Sequence, residues 1–171
     1  GAEIASSAGD VFARAEMIVK VKEPQPNEWV QLSSKQILFT YLHLAADAPQ
    51  AFGLAESGCT AIAYETITDD AGGLPLLAPM SEVAGRLAVI EGASHLKANA
   101  GGRGILISGV PGTAPADIVV IGGGVVGVNA AKMAVGLGAR VTVFDRSVPR
   151  LRYLSEIFGN NITTRYANNS V

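Results

Sequence analysis

The amino-acid sequence predicts an α/β fold in which parallel sheets are divided between two domains. Strand-like and helical segments alternate along the 171 residues, and the second half contains five of them in the order strand, helix, strand, helix, strand. A stretch from Asp69 to Pro75 interrupts both periodicities with charge, glycine and proline. We therefore expect a first domain at residues 1–75 and a second at residues 76–171.

The first domain is predicted to contain two helices and three strands. The helices are expected at residues 10–15 and 47–57, and the strands at 17–22, 37–42 and 60–64. Within the first strand, Val19 and Val21 alternate with Lys20 and Lys22. Such alternation is typical of extended chain, in which successive side chains point to opposite faces.

The second domain is predicted to begin with a long helix at residues 81–96. A glycine-rich loop at 100–104 follows and leads into a short apolar strand at 105–107. The βαβαβ run then has strands at 117–121, 140–144 and 162–166, with helices at 125–137 and 148–158 between them. This order predicts a Rossmann-type, doubly wound parallel sheet.

Composition excludes several classes of protein. Hydrophobic residues make up 49% of the chain and charged residues 16%, which favours a folded protein over a disordered one. The formal net charge is -2 without a run of lysine and arginine, so we expect neither nucleic acid nor a membrane as a partner. Cys59 is the single cysteine, and no Cys/His cluster has metal-ligand spacing. We expect a cytoplasmic protein without a metal.

The strongest chemical signal is the glycine sequence Gly122-Gly123-Gly124-Val125-Val126-Gly127. It has the G-x-G-x-x-G spacing, directly after an apolar strand and at the start of an apolar helix. Gly122 would permit the tight turn, Gly124 would let the backbone approach a pyrophosphate, and Gly127 would let the helix pack close to the strand. The alternative is a glycine turn that serves only close packing. The context favours dinucleotide binding.

Asp145 supplies the second part of this fingerprint. It follows the next predicted strand, 23 residues after Gly122, where an acidic side chain can accept both ribose hydroxyls. Its charge would repel a 2′-phosphate, which favours NAD over NADP, although Arg146 and Arg150 lie close in sequence and weaken this exclusion. Arg150 is counted among the cofactor-binding candidates. The alternative is that Asp145 only caps the next helix.

Two polar residues stand at the carboxyl ends of successive predicted strands of the first domain. Lys22 comes before Glu23-Pro24, and His43 comes before the next helix. If the strands are neighbours, a fixed cation and a titratable imidazole converge on one crevice, where they could hold a small carboxylate and exchange a proton. The alternative is a solvated lysine and a histidine bonded to a loop carbonyl. Ser81 likewise has two interpretations, a cap of the long helix or a cofactor contact.

Six stretches of the sequence resemble the NAD-dependent enzymes of the alanine dehydrogenase/pyridine nucleotide transhydrogenase family. They are residues 19–24, 38–45, 61–66, 79–88, 101–104 and the glycine fingerprint. The resemblance to the alanine dehydrogenases covers nearly the whole chain. It implies oxidative deamination of L-alanine to pyruvate and ammonia, and the reverse reductive amination, with NAD as the cofactor.

The resemblance also implies a role for each candidate residue. Lys22 would hold the substrate carboxylate or carbonyl, and His43 would be the catalytic acid/base. Ser81 would touch the cofactor and Asp145 would bind the adenosine ribose. Residues 1–75 would be part of the substrate domain and residues 76–171 part of the NAD-binding domain, in a full-length protein that forms a homo-oligomer.

The sequence departs from the family in two respects. Family members are considerably longer, so we expect this chain to be an internal piece that is inactive by itself. Ala167 stands near the position at which some members carry a serine on the adenine side. The alternatives are the NAD(H)-binding component of a proton-pumping transhydrogenase and an NAD-binding remnant without catalysis. His43, within Leu42-His43-Leu44-Ala45, favours the dehydrogenase.

Overall fold

Two three-stranded parallel sheets form the framework of the protein. The computed structural model describes residues 1–168. The chain divides into two compact units, Gly1–Leu77 and Ala78–Val171, and each unit contains one sheet. The α/β class with parallel sheets is therefore confirmed.

The first unit is built on a sheet with the strand order β1-β2-β3, in which both pairs are parallel. Its elements in chain order are α1 (Ala8–Arg14), β1 (Met17–Val19), α2 (Pro26–Trp29), β2 (Ile37–Thr40), α3 (Ala48–Ser57) and β3 (Thr60–Ala63). The Ser7 hydroxyl caps α1 and the Asp47 carboxylate caps α3, each accepting a backbone N–H of the first turn. Leu38 of the central strand is fully buried and packs with Phe12, Ile18 and Leu54.

The strands of this unit are shorter than predicted. The first was expected to reach residue 22 and the second residue 42, but β1 ends at Val19 and β2 at Thr40. After Val19, two backbone hydrogen bonds continue the pairing of β1 with β2, Lys20 N to Phe39 O (3.2 Å) and Tyr41 N to Val21 O (3.3 Å). Lys22 and His43 therefore lie on loops beyond the strand ends.

The second unit has the strand order β4-β5-β6, again with parallel pairing throughout. Its elements in chain order are α4 (Ala78–His95), β4 (Asp117–Ile121), α5 (Val125–Gly136), β5 (Arg140–Asp145), α6 (Val148–Phe158) and β6 (Ile162–Tyr166). This is one βαβαβ half of the predicted doubly wound sheet. A buried cluster that includes Val143, Ala131 and Leu154 joins the strands to the helices.

Small residues let α4 and α5 pack closely in this unit. A Cβ on Gly85 would overlap the Val126 carbonyl oxygen and come within 3.0 Å of Asn129 Cβ and Ala130 N. The Arg86 Nε–H donates to Asn129 Oδ1 at 3.2 Å across the same contact. The first turn of α5 is therefore packed directly against α4.

The predicted strand at residues 105–107 is wrong. This segment pairs with no strand, and its backbone instead accepts from the loop that follows, Ala116 N to Ile107 O at 3.0 Å. Ile107 is buried in the core of the unit. In the part of the chain that the structure describes, this apolar run is therefore a loop that packs on the core.

Within residues 1–168, none of the helices has the length and apolar character needed to cross a membrane.

Candidate functional sites in the two units

The glycine loop between β4 and α5 adopts a conformation that requires glycine at two positions. Gly122 has φ +94°, and its N–H donates to the Phe144 carbonyl at 2.7 Å, which joins the loop to β5. A Cβ on Gly127 would overlap the Gly122 carbonyl oxygen and lie 3.3 Å from Val120 Cγ1. The loop and the start of the helix therefore touch through their backbones.

The outer side of this loop has room for a ligand. Apart from the adjoining residues of the chain, no described residue lies within 4 Å of a Cβ built on Gly122 or Gly124. Gly124 is the N-cap of α5 and brings no side chain to the first turn, so that turn presents backbone N–H groups and the positive end of the helix dipole. These features fit the pyrophosphate of a dinucleotide.

The Asp145 carboxylate is fixed beside this loop. Its Oδ2 accepts from Gly123 N at 2.6 Å and its Oδ1 from Ser147 N at 2.7 Å. The Ser147 and Gly123 N–H groups, helped by the charge of Arg150, hold the pKa of Asp145 below its usual range. Ser147, and not Asp145, is the N-cap of α6. Asp145 is thus an anion placed at the glycine loop, with lone pairs to spare for hydroxyl donors.

Arg150 is directed at the protein backbone. Its Nε donates to the Gly123 carbonyl oxygen, and its guanidinium carbon lies 4.6 Å from the centre of the Tyr153 ring. The first contact joins Nε to the glycine loop, and the second places the guanidinium over a ring of α6. The role of Arg150 in cofactor binding stays a prediction.

Ser81 does not cap the long helix. The helix was expected to begin at residue 81, but α4 begins at Ala78, so Ser81 lies within its first turns. Ser81 precedes Gly85 by four residues and therefore shares its face of the helix, the face that packs on Val126 of α5. The cap interpretation is excluded, and the cofactor contact stays a prediction.

Lys22, Glu23 and His43 lie together at the carboxyl ends of β1 and β2. The Glu23 carboxylate lies between the other two, with Oε1 bonded to His43 Nδ1 and Oε2 3.8 Å from Lys22 Nζ. The Lys22 side chain is 72% exposed, whereas that of Glu23 is 25% exposed. An open pocket of about 760 Å³ has Glu23, Trp29, His43 and Gln50 in its wall.

The backbone of His43 is strained and a carboxylate holds it. His43 is the only non-glycine residue with positive φ (47°) within residues 1–168, a conformation that costs roughly 1–2 kcal/mol. Glu65 Oε1 accepts His43 N–H at 2.7 Å and Leu42 N–H at 3.2 Å. Burial raises the pKa of Glu65, but these N–H groups and its own outweigh burial and lower the pKa overall.

The contribution of Glu65 to the free energy of unfolding should depend on pH in the acidic range. The folded state binds a proton on Glu65 more weakly than the unfolded chain does, so the contribution of Glu65 is complete above pH of about 4.5, the ordinary glutamate value, and is lost as pH falls through the lowered pKa. We expect the free energy of unfolding to fall less between pH 5 and pH 3 in Glu65→Gln than in the unchanged protein. Urea unfolding at a series of pH values measures this difference. Equal slopes for the two proteins would contradict it.

Glu23, Glu65 and Tyr41 were not predicted as site residues. Tyr41 stacks on the His43 ring, with centroids 5.9 Å apart and planes 10° apart, and donates from its hydroxyl to the Leu76 carbonyl. The position of Glu23 directly after Lys22 could have indicated it from the sequence. Glu65 and Tyr41 had no such indication, because their contacts depend on how the strands pair. No group of three or more His, Cys, Asp or Glu in the described part of the chain could hold a metal.

Two family models match the chain one after the other. Residues 1–84 match the model described as alanine dehydrogenase/PNT, N-terminal domain, and residues 88–171 match the model described as alanine dehydrogenase/PNT, C-terminal domain. Together they leave only residues 85–87 between them.

Individual proteins show the same similarity. The chain is 56% identical to an alanine dehydrogenase of Halomonas elongata and 54% identical to one of Bacillus subtilis, in both cases along 98% of this chain. It spans 45% and 44% of the lengths of those proteins, less than half of each.

Two solved structures superpose on the chain. An L-alanine dehydrogenase, 53% identical, has a TM-score of 0.85 and covers 98% of this chain, which in turn covers 46% of it. A transhydrogenase from Sinorhizobium meliloti has a TM-score of 0.71, with 95% of this chain and 47% of that one covered. Its identity is 22%, so this second likeness shows the fold alone.

Proposed function

Because the chain belongs to the alanine dehydrogenase/PNT family, we propose that the full-length protein interconverts L-alanine with pyruvate and ammonia. The observation that carries this proposal is an identity of 54–56% to alanine dehydrogenases along 98% of the chain. The chain spans about 45% of the length of those proteins, so the activity is proposed for the full-length protein.

The proposed cofactor is NAD, bound to the second unit. The glycine loop would receive the pyrophosphate on the amides of α5, and the Asp145 carboxylate would accept the adenosine ribose hydroxyls. Ser81 would contact the cofactor, since it lies one turn before the close contact of Gly85 with α5. NAD, when bound, supplies the acceptor for the hydride that leaves the substrate carbon.

The proposed substrate residues lie on the first unit. Lys22 would pair with the substrate carboxylate or carbonyl, for which its largely exposed ammonium is available. His43 would exchange a proton with the reacting centre, because imidazole is the side chain that titrates near neutral pH. Both side chains lie at the carboxyl ends of parallel strands, where α/β sheets bind ligands.

The domain organisation, oligomeric state and cellular compartment of the full-length protein are also proposed. Residues 1–75 would be part of the substrate domain and residues 76–171 part of the NAD-binding domain, which is close to the division of the structure between Leu77 and Ala78. The full-length protein would be a cytoplasmic homo-oligomer. Size-exclusion chromatography with light scattering tests the oligomeric state.

The deciding experiment is an assay of the purified full-length protein with L-alanine and NAD. We expect NADH to form in proportion to the protein and to require L-alanine, with pyruvate as the second product. Hydride exchange between NADH and an NADP analogue, measured in parallel, tests the transhydrogenase alternative. Exchange without alanine-dependent NADH formation would overturn the proposal.

Asp145→Ser is expected to relax the preference for NAD over NADP. The serine removes the charge that would face a 2′-phosphate, while Arg146 and Arg150 remain nearby. The ratio of kcat/KM for the two cofactors should fall at least about tenfold, which corresponds to roughly 1.4 kcal/mol. Asp117→Asn, an exposed carboxylate at the other end of β4, is the control and should leave the ratio unchanged. An unaltered ratio in Asp145→Ser would remove Asp145 from this role.

A further inference from the structure

The imidazole of His43 is constrained from three directions. Its backbone is held in the left-handed region by Glu65, its ring face stacks on Tyr41, and its Nδ1 is bonded to Glu23. The Tyr41 ring is itself tethered by its hydroxyl to the Leu76 carbonyl. Of these three contacts, the bond to Glu23 is the one that involves a ring nitrogen, so it can select which nitrogen carries the proton.

We propose that Glu23 is a positioning residue that keeps the proton of neutral His43 on Nδ1 and so leaves Nε2 as the nitrogen that exchanges a proton with the substrate. This inference rests on the proposed function for the role of His43. A carboxylate can only accept a hydrogen bond, so Nδ1 must be the donor. The lone pair of the neutral ring then lies on Nε2, which is the arrangement that a general base requires.

The charge and burial of Glu23 support this assignment. Its own N–H and the His43 ring lower the pKa of Glu23, with Lys22 adding to the effect, so the carboxylate is ionised at neutral pH. Its side chain is 25% exposed, against 45% for His43. The imidazole therefore has its Nδ1 side against a partly buried anion, while nearly half of the side chain remains accessible.

Lys22 is a weaker partner for the same carboxylate. Its ammonium lies 3.8 Å from Glu23 Oε2 and is largely exposed, and an exposed ion pair of this kind contributes little. Pairing with Glu23 therefore leaves the lysine able to turn toward a substrate carboxylate. The two carboxylate oxygens of Glu23 thus contact two neighbours, and the contact with His43 is the stronger one.

The first test measures catalysis in the full-length protein. We expect Glu23→Gln to lower kcat at least about tenfold, a part of the 10²–10⁴ that a positioned acid/base contributes. The Kd of Glu23→Gln for NADH should stay within about twofold of the value for the unchanged protein, because the glycine loop belongs to the other unit. Glu23→Asp should recover part of the lost kcat. Glu16→Gln, an exposed carboxylate of the same unit, is the matched control and should keep the original kcat.

A double-mutant cycle identifies the residue through which Glu23 acts. In a His43→Ala background, Glu23→Gln should cause no further loss of kcat. A full, additive loss in that background would show that Glu23 acts on another group, such as Lys22, and would overturn the proposal.

The second test does not depend on activity. With ¹⁵N-labelled histidine, the resonances absent from His43→Ala identify the His43 ring nitrogens. At a pH where the ring is neutral, we expect Nδ1 to be the protonated nitrogen, and we expect Glu23→Gln to shift the tautomer toward Nε2–H. An unshifted tautomer in Glu23→Gln would overturn the proposal. If the unchanged protein forms no NADH from L-alanine, the proposed function fails, while this measurement still decides the role of Glu23.

Discussion

His43→Ala in the full-length protein is expected to lower kcat for alanine oxidation by roughly 10²–10⁴ while leaving the Kd for NAD within about twofold. The imidazole lies on the first unit, at the wall of the 760 Å³ pocket, whereas the glycine loop and Asp145 lie on the second unit. Removing the imidazole therefore removes proton transfer and leaves the cofactor contacts in place. Steady-state kinetics and NADH fluorescence titration measure the two quantities.

His95 offers a control for this prediction. It is the other histidine of the chain, an exposed residue at the end of α4. His95→Ala should keep kcat and the Kd for NAD near their original values. Near-normal turnover in His43→Ala would remove His43 from the proton-transfer role and make Lys22 the next candidate.

The loss of the imidazole in His43→Ala must be distinguished from a change in the backbone turn at this position. His43 is in the left-handed region, which alanine tolerates no better than histidine, so the backbone strain persists in the variant. The bonds from the His43 and Leu42 N–H groups to Glu65 do not involve the imidazole and should keep the turn in place. A thermal unfolding midpoint close to that of the unchanged protein would show that the turn is intact.

Gly127→Ala is expected to weaken NAD binding by at least about tenfold and to destabilise the second unit by roughly 1–3 kcal/mol. The new Cβ would overlap the Gly122 carbonyl oxygen, a backbone atom that cannot rotate away. Either α5 moves away from β4 or the loop changes shape, and both displace the amides that would receive the pyrophosphate. Calorimetric titration with NAD and urea unfolding measure the two losses.

Gly136→Ala is the matched control on the same helix. Gly136 is the last residue of α5, and apart from the adjoining residues and the backbone of α5 itself no described residue lies within 4 Å of a Cβ at this position. Alanine there should leave NAD binding unchanged and stabilise the helix slightly, since glycine has a lower helix propensity. Equal NAD affinity in Gly127→Ala and in the unchanged protein would mean that the glycine loop is not the site of the pyrophosphate.

The part of the second unit from β4 to β6 agrees closely with the sequence prediction. The strands Asp117–Ile121 and Ile162–Tyr166 and the helix Val148–Phe158 have their predicted ends. The signals for these elements are local. A glycine turn, a serine cap with a proline in the first turn, and apolar runs of the right length all act within a few residues, so they are readable without knowledge of the fold.

Predictions that required a neighbour in space were less accurate. The run at residues 105–107 has the composition of a strand, but no strand within residues 1–168 pairs with it and it packs on the core as a loop. Serine is a residue type that favours helix N-caps, but α4 begins three residues before Ser81. In both cases the local preference was weaker than the packing of the unit around it.

The amino-acid sequence by itself determined the α/β class, the glycine loop with Asp145 at the next strand end, and Lys22 and His43 as the candidates of the first unit. Only the tertiary structure decided that Glu23 would lie between Lys22 and His43, and that Glu65 would hold the left-handed backbone of His43. The hydrogen bond that the His43 N–H donates to Glu65 joins residues 22 positions apart, and it forms because β2 pairs in parallel with β3. Strand pairing brings loops that are distant in sequence to one edge of a sheet. The hydrophobic periodicity of each segment does not predict which side chains of those loops come into contact.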